Sequence, residues 1–229
     1  MNLKEEDDGR SLKIEYIDNI KIDNISFSYK DNINSRVIEN FNFVFKKDDK
    51  ILIKGLNGSG KTTLIKLLLG LYEPDIGEIY YNVRSLSDLS RESLRNNISV
   101  VSQHIFLFKG TILENILYNC CPNMTQDSLE EIISQYGLSS YLNGFDKGLF
   151  TMLTHGGTNI SGGQKQLIAF LRAVVSKKNI MILDEPTSNM DNSLKEVVSE
   201  ILLSHRLANI LIIISHDNIF DSIDIQITL

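Results

Sequence analysis

The apolar run Ile51-Leu52-Ile53 leads through Lys54 into Gly55-Leu-Asn-Gly-Ser-Gly-Lys61-Thr62-Thr63, and a helical pattern over Thr62–Leu69 follows at once. Few folds put a buried strand, a glycine-rich bend and a helix into so short a stretch. Gly55, Gly58 and Gly60 let the backbone wrap closely, so that consecutive N–H groups converge, and the helix adds its positive N-terminal end. Such a cradle suits phosphates. Lys61 offers a point charge to β- and γ-phosphates, and the Thr62 hydroxyl is suited to Mg²⁺. Asn57, Ser59 and Thr63 complete the loop. A plain glycine-rich turn is the competing reading of this loop alone, and the flanking strand and helix count against it.

A second apolar run, Ile180-Met-Ile-Leu183, ends in Asp184-Glu185. Ligands of open α/β sheets lie at the carboxyl ends of strands, which puts Asp184 beside the metal shell. Glu185, one residue on, can orient or deprotonate an attacking water. Alone, the pair would read as two solvated acids. Between the loop and these carboxylates stands Ser161-Gly162-Gly163-Gln164, a serine N-cap followed by two glycines at the start of a helix. Its exposed backbone donors form a second anion site. One nucleotide cannot easily use both helix N-termini of the same chain.

Taken in this order, phosphate loop, SGGQ and Asp-Glu pair resemble the nucleotide-binding domain of ABC transporters, and the resemblance covers nearly the whole chain. It implies an ATPase that uses ATP and Mg²⁺. Two copies would close head to tail, the Ser161–Gln164 motif of each meeting the nucleotide held by the other. It also matches His216 to the family's switch histidine, in contact with the γ-phosphate and Glu185. Gln103 matches the glutamine that reaches Mg²⁺ and the attacking water, and Tyr29 the aromatic that stacks on adenine. A strand end-cap, a surface glutamine and a core or hairpin tyrosine are the alternatives these three residues leave open.

The segment from Phe106 to Ile116, Phe-Leu-Phe-Lys-Gly-Thr-Ile-Leu-Glu-Asn-Ile, is similar to the stretch with which exporter-type ATPases grip a membrane domain. The run Asn159–Gln166 looks most like peptide or bacteriocin exporters. Three positions depart from the family pattern. Ser188-Asn189-Met190-Asp191 replaces the usual Ser-Ala-Leu-Asp, His155 takes the place of a glutamate, and Leu167 that of a basic residue. The implied partners are a membrane-spanning domain on the same or another chain and a second copy of the ATPase domain, at the cytoplasmic face of the cell membrane. A soluble ABC-type ATPase acting on ribosomes or DNA is the alternative, disfavoured by the lack of a second cassette or long coiled coil. A regulatory subunit without turnover is disfavoured by Glu185 and His216.

The net charge of −6 lacks the basic footprint of a nucleic-acid binder, so no such partner is expected. Cys120 and Cys121 are adjacent and without metal-ligand spacing, which fits a reducing cytosol. The unbroken apolar stretch Ile210–Ile214, which none exceeds in length, is far short of the ~20 residues that span a bilayer.

The alternation of Ile22, Ile25, Phe27 and Tyr29, then of Val37, Ile38, Phe41, Phe43 and Phe45, predicts antiparallel strands with a turn around Asp31–Ser35. Strands alternating with helices around the phosphate loop predict a mainly parallel sheet covered on both faces. The expected architecture is an α/β P-loop ATPase core with that sheet, an antiparallel β-subdomain and an inserted helical subdomain over about 103–177, where no strand is evident. Residues 1–20 read as a linker or tail, and 21–229 as the ATPase domain.

Overall fold

A computed structural model describes residues 12–29 and 35–229 of the chain. Strands β1 (Asn19–Phe27) and β2 (Ile38–Lys46) pair antiparallel, with Ile20 opposite Phe45 and Ile22 opposite Phe43. Of the turn expected around Asp31–Ser35, residues 31–34 lie outside the described residues. Strand β3 (Lys50–Lys54) feeds the glycine loop and helix α1 (Lys61–Leu68), which ends at a left-handed Gly70. Strands β4 (Ile76–Tyr81) and β5 (Arg84–Ser85) complete an antiparallel sheet in the order β2-β1-β4-β5.

After α2 (Arg91–Arg95) and β6 (Ile98–Val101) the chain enters the helical insertion. It runs through β7 (Gly110–Thr111), α3 (Ile112–Leu117), α4 (Gln126–Gln135), α5 (Ser139–Asn143) and β8 (Met152–Leu153). Helix α6 (Gly162–Val175) then returns it to the core. Strand β9 (Ile180–Asp184), α7 (Asn192–Ser204), β10 (Ile210–Ile214) and β11 (Ile225–Thr228) close the fold.

The second sheet has the order β11-β3-β10-β9-β6, and every neighbouring pair is parallel. Its central strands β3, β10 and β9 carry continuous apolar runs because both faces are covered. The two-residue period of a strand sorts them cleanly. Ile51, Ile53, Ile180, Ile182, Ile210, Ile212 and Ile214 pack toward α1 and the antiparallel sheet. Leu52, Met181, Leu183, Leu211 and Ile213 pack on the other face against α6 and α7. Leu129, Ile133 and Leu142 of the helical insertion belong to that same cluster, so the insertion shares the core of the sheet.

Two expectations are corrected, and one strand is added. The insertion does contain strands: Gly110 pairs with Leu153 and Thr111 with Met152. Two residues each are too few to leave a periodic signal. The packed chain starts well before residue 21, because Ile14, Ile17 and Ile20 are buried and the Ile17 N–H donates to Asn179 Oδ1 at 2.7 Å. Their spacing of three among charged neighbours hid them. Strand β11 was not foreseen; it pairs along β3, Ile225 opposite Ile51, at the edge of the sheet.

Candidate nucleotide site

The site lies at the carboxyl ends of β3, β9 and β10, where the rule for open sheets puts ligands. Gly60 caps α1 at φ 103°, a conformation that side chains disfavour. A Cβ there would also stand 2.9 Å from the Val37 carbonyl oxygen. Lys61 Nζ donates to the carbonyls of Gly55 at 2.5 Å and Leu56 at 2.9 Å, tying its ammonium to the loop. Ser59 Oγ is buried without a hydrogen-bond partner.

The alternation that turns Ile180 and Ile182 toward α1 puts Asp184 on the same face, in reach of the Lys61 charge. Strand β10 runs in register with β9, Ile214 beside Asp184, so that His216 emerges next to Glu185. His216 Nε2 is 3.8 Å from Glu185 Oε1, too long for a hydrogen bond but close enough for charge to matter. Glu185 has φ 51°, and its N–H donates to the Ile214 carbonyl at 2.8 Å. For a residue with a side chain this backbone costs about 1–2 kcal/mol.

One cavity of about 600 Å³ gathers these groups. Asn57, Gly58 and Gly60 to Thr63 line it from the loop, and Tyr29, Gln103, Asp184, Glu185 and His216 from elsewhere. The volume suits a ligand of nucleotide size. Burial pushes the Asp184 carboxyl above the usual range, with Lys61 opposing. Burial likewise raises Glu185, opposed by His216. A carboxyl raised in this way is nearer to the poise of a general base.

The residues fit ATP and Mg²⁺. The Thr62 hydroxyl, the Asp184 carboxylate and the Gln103 carbonyl form a hard-oxygen set of the kind Mg²⁺ takes. Among the described residues no group of three or more His, Cys, Asp or Glu forms a metal cage. A Mg²⁺ that shares one or two protein oxygens with substrate phosphates needs none. The orphaned Ser59 hydroxyl is a donor of the kind a phosphate would satisfy. Tyr29 lines the same cavity, its hydroxyl 2.9 Å from Thr63 Oγ1 and its ring edge-on to Phe27 and Tyr72.

Ser161, Gly162, Gly163 and Gln164 do not line this cavity. Ser161 Oγ accepts from the Gln164 N–H and Gln164 Oε1 accepts from the Ser161 N–H, a reciprocal cap. The Ser161 hydroxyl hydrogen and the first-turn N–H groups of Gly162 and Gly163 stay available to an anion outside the helix.

The model of the ABC transporter family matches residues 38–188, well over half of the chain. The chain belongs to that family. It is 38% identical over 186 residues to the pediocin PA-1 transport/processing ATP-binding protein of Pediococcus acidilactici, covering 80% of this chain and 25% of that one. It is 32% identical over 213 residues to the ATP-dependent lipid A-core flippase of Aliivibrio fischeri, covering 93% of this chain and 36% of the relative. A bacterial Atm1-family ABC exporter with ATP bound superposes with a TM-score of 0.86 at 23% identity, over 96% of this chain and 38% of the exporter. That likeness speaks to the fold. The chain thus spans a quarter to a little over a third of the lengths of these relatives.

In this ABC transporter domain the departures from family pattern find places. Leu167 is 1% exposed within the core beneath α6, where a charge would be unwelcome. His155 stands edge-to-face with Phe106, and Met190 is buried beside the start of α6. Sequence reasoning missed Gln166, Thr187, Lys195 and Asp217. Thr187 and Lys195 donate to the Asp217 carboxylate at 2.8 Å and 2.6 Å. Burial raises that carboxyl, but the two hydrogen bonds and the Lys195 and His216 charges outweigh it and hold the group below the usual range. A glutamine at a position of α6 that periodicity assigns to the core was the one available signal for Gln166.

Proposed function

We propose that this chain is the ATP-hydrolysing motor domain of an ABC exporter, closing head to tail with a second copy around two ATP-Mg²⁺. The observation that carries the reading is the division of labour in one chain. A single cavity is lined by the loop, metal and base residues, while the Ser161–Gln164 donors stand on a separate helix start outside its lining. In this reading Lys61 and the loop N–H groups bind the triphosphate, and Tyr29 stacks on adenine. Thr62, Asp184 and Gln103 hold Mg²⁺, which when bound neutralises charge on the phosphates. Glu185 takes a proton from water, and His216 keeps that carboxylate and the γ-phosphate in register.

Among the described residues no helix is long and apolar enough to cross a membrane. The proposed partner is therefore a membrane-spanning domain of the same or another chain, with this domain at its cytoplasmic face. Phe106 and Tyr118, 65% and 61% exposed, rim a groove of about 260 Å³ between β6 and α6 that offers such a partner an apolar grip. The cargo is proposed to be a peptide, on the strength of the Asn159–Gln166 run and the pediocin relative.

The test is the size of the Glu185→Gln protein in solution with ATP and Mg²⁺. It should form a dimer, and Ser161→Arg in the same protein should return it to monomer. If the double variant dimerises equally well, the Ser161 motif does not act across an interface.

A further inference from the structure

Gln166 is only 2% exposed, inside a helix whose buried face is otherwise apolar, and its carboxamide is fully engaged. Nε2 donates to the Glu185 carbonyl at 2.8 Å and to Ser188 Oγ at 3.0 Å. Oε1 accepts from the Asn189 N–H at 2.9 Å. One buried side chain of α6 therefore grips the segment after β9 at three points. Ser188 Oγ adds its own bond to the Glu185 carbonyl at 3.2 Å.

Glu185 needs such a grip. At φ 51° its backbone sits where a residue with a side chain does not rest by its own preference, and it persists only if its surroundings impose it. The direction of its carboxylate follows from that backbone. The start of α6 also leaves no slack, since a Cβ on Gly163 would lie 2.8 Å from the Asn189 carbonyl oxygen.

We infer that Gln166 is a positioning residue: its carboxamide fixes the left-handed backbone of Glu185 and so aims the base into the nucleotide cavity. This rests on the hydrolysis reading above. Because Gln166 and Ser161 share one helix, an anion drawn to the start of α6 acts on Glu185 through the same carboxamide. The helix start and the base of one chain are then mechanically one unit.

Two variants separate shape from hydrogen bonding. Gln166→Met keeps the volume and removes all three contacts, whereas Gln166→Glu keeps the acceptor for Asn189 and removes the donor to Glu185. Backbone hydrogen exchange at Asn189, measured without nucleotide, should rise about tenfold in the methionine variant and stay near parental in the glutamate variant. Turnover should fall about tenfold or more in both, with KM for ATP within about twofold, since a displaced catalytic group affects the chemical step more than binding. An active parent whose Gln166→Met variant matches it in kcat, or in Asn189 exchange, overturns the inference. If the methionine variant does not fold, parental kcat in Gln166→Glu overturns it equally. A parent that releases no phosphate instead overturns the hydrolysis reading, before any substitution is compared.

Discussion

Lys195 Nζ lies 2.6 Å from Asp217 Oδ1, while Thr187 donates to Oδ2 of the same carboxylate. Helix α7, the segment after β9 and the segment after β10 are joined at that one group, a single residue from His216. The pair is about a quarter exposed on each side, so its value to stability is modest and its value to geometry is the larger.

Lys195→Met is expected to lower turnover several-fold while costing only about 0.5–1 kcal/mol of stability. Phosphate release and a urea melt on the same protein check both halves. A large loss of stability with normal turnover would mean that the pair holds the fold and not the His216 segment.

Asp217 also sets a pH dependence. A carboxyl held below its unfolded value contributes stability that is present above that value and is lost as pH falls through the folded one. The parent's advantage over Asp217→Asn in thermal melts should be constant above about pH 5 and shrink as pH falls below about 4. An advantage that grows on acidification would reverse the sign assigned here.

Lys61→Ala should weaken ATP binding by on the order of 1.5–3 kcal/mol, the range for a charge-assisted contact. Nucleotide titration measures it directly. Unchanged affinity would mean that Lys61 does not contact the triphosphate.

Glu185→Gln keeps the shape of the side chain and removes the base, so ATP should bind at least as well while turnover falls by about 100-fold or more. His216→Ala should bind ATP and turn over slowly. Steady-state phosphate release beside nucleotide affinity for the two variants and the parent decides the matter. Parental rates in both would overturn their catalytic roles and leave the fold untouched.

The residues that could be found from sequence are those whose chemistry is local. Gly55 to Thr63 carry strand, bend and helix in one run, and Asp184 and Glu185 follow directly from an apolar strand. Gln166, Lys195 and Asp217 act on partners roughly twenty residues away along the chain, and nothing in their own neighbourhoods announces the meeting. Ile14 and Ile17 were hidden by the charged residues around them, and β7 and β8 by being two residues long. Leu167 stands out against the family pattern, where a basic residue is usual, and is a core residue.

Leu129, Ile133 and Leu142 of the helical insertion pack in one continuous cluster with Leu183 and Ile213 of the sheet. Excising the insertion would therefore leave bare the apolar residues of α6 against which α3 packs, and the shortened chain should precipitate. For the same reason heat should melt the described residues in one step, with no stage at which the insertion unravels and the sheet survives. What reads along the chain as an added module has become, in three dimensions, the lid on half of the protein's own oil.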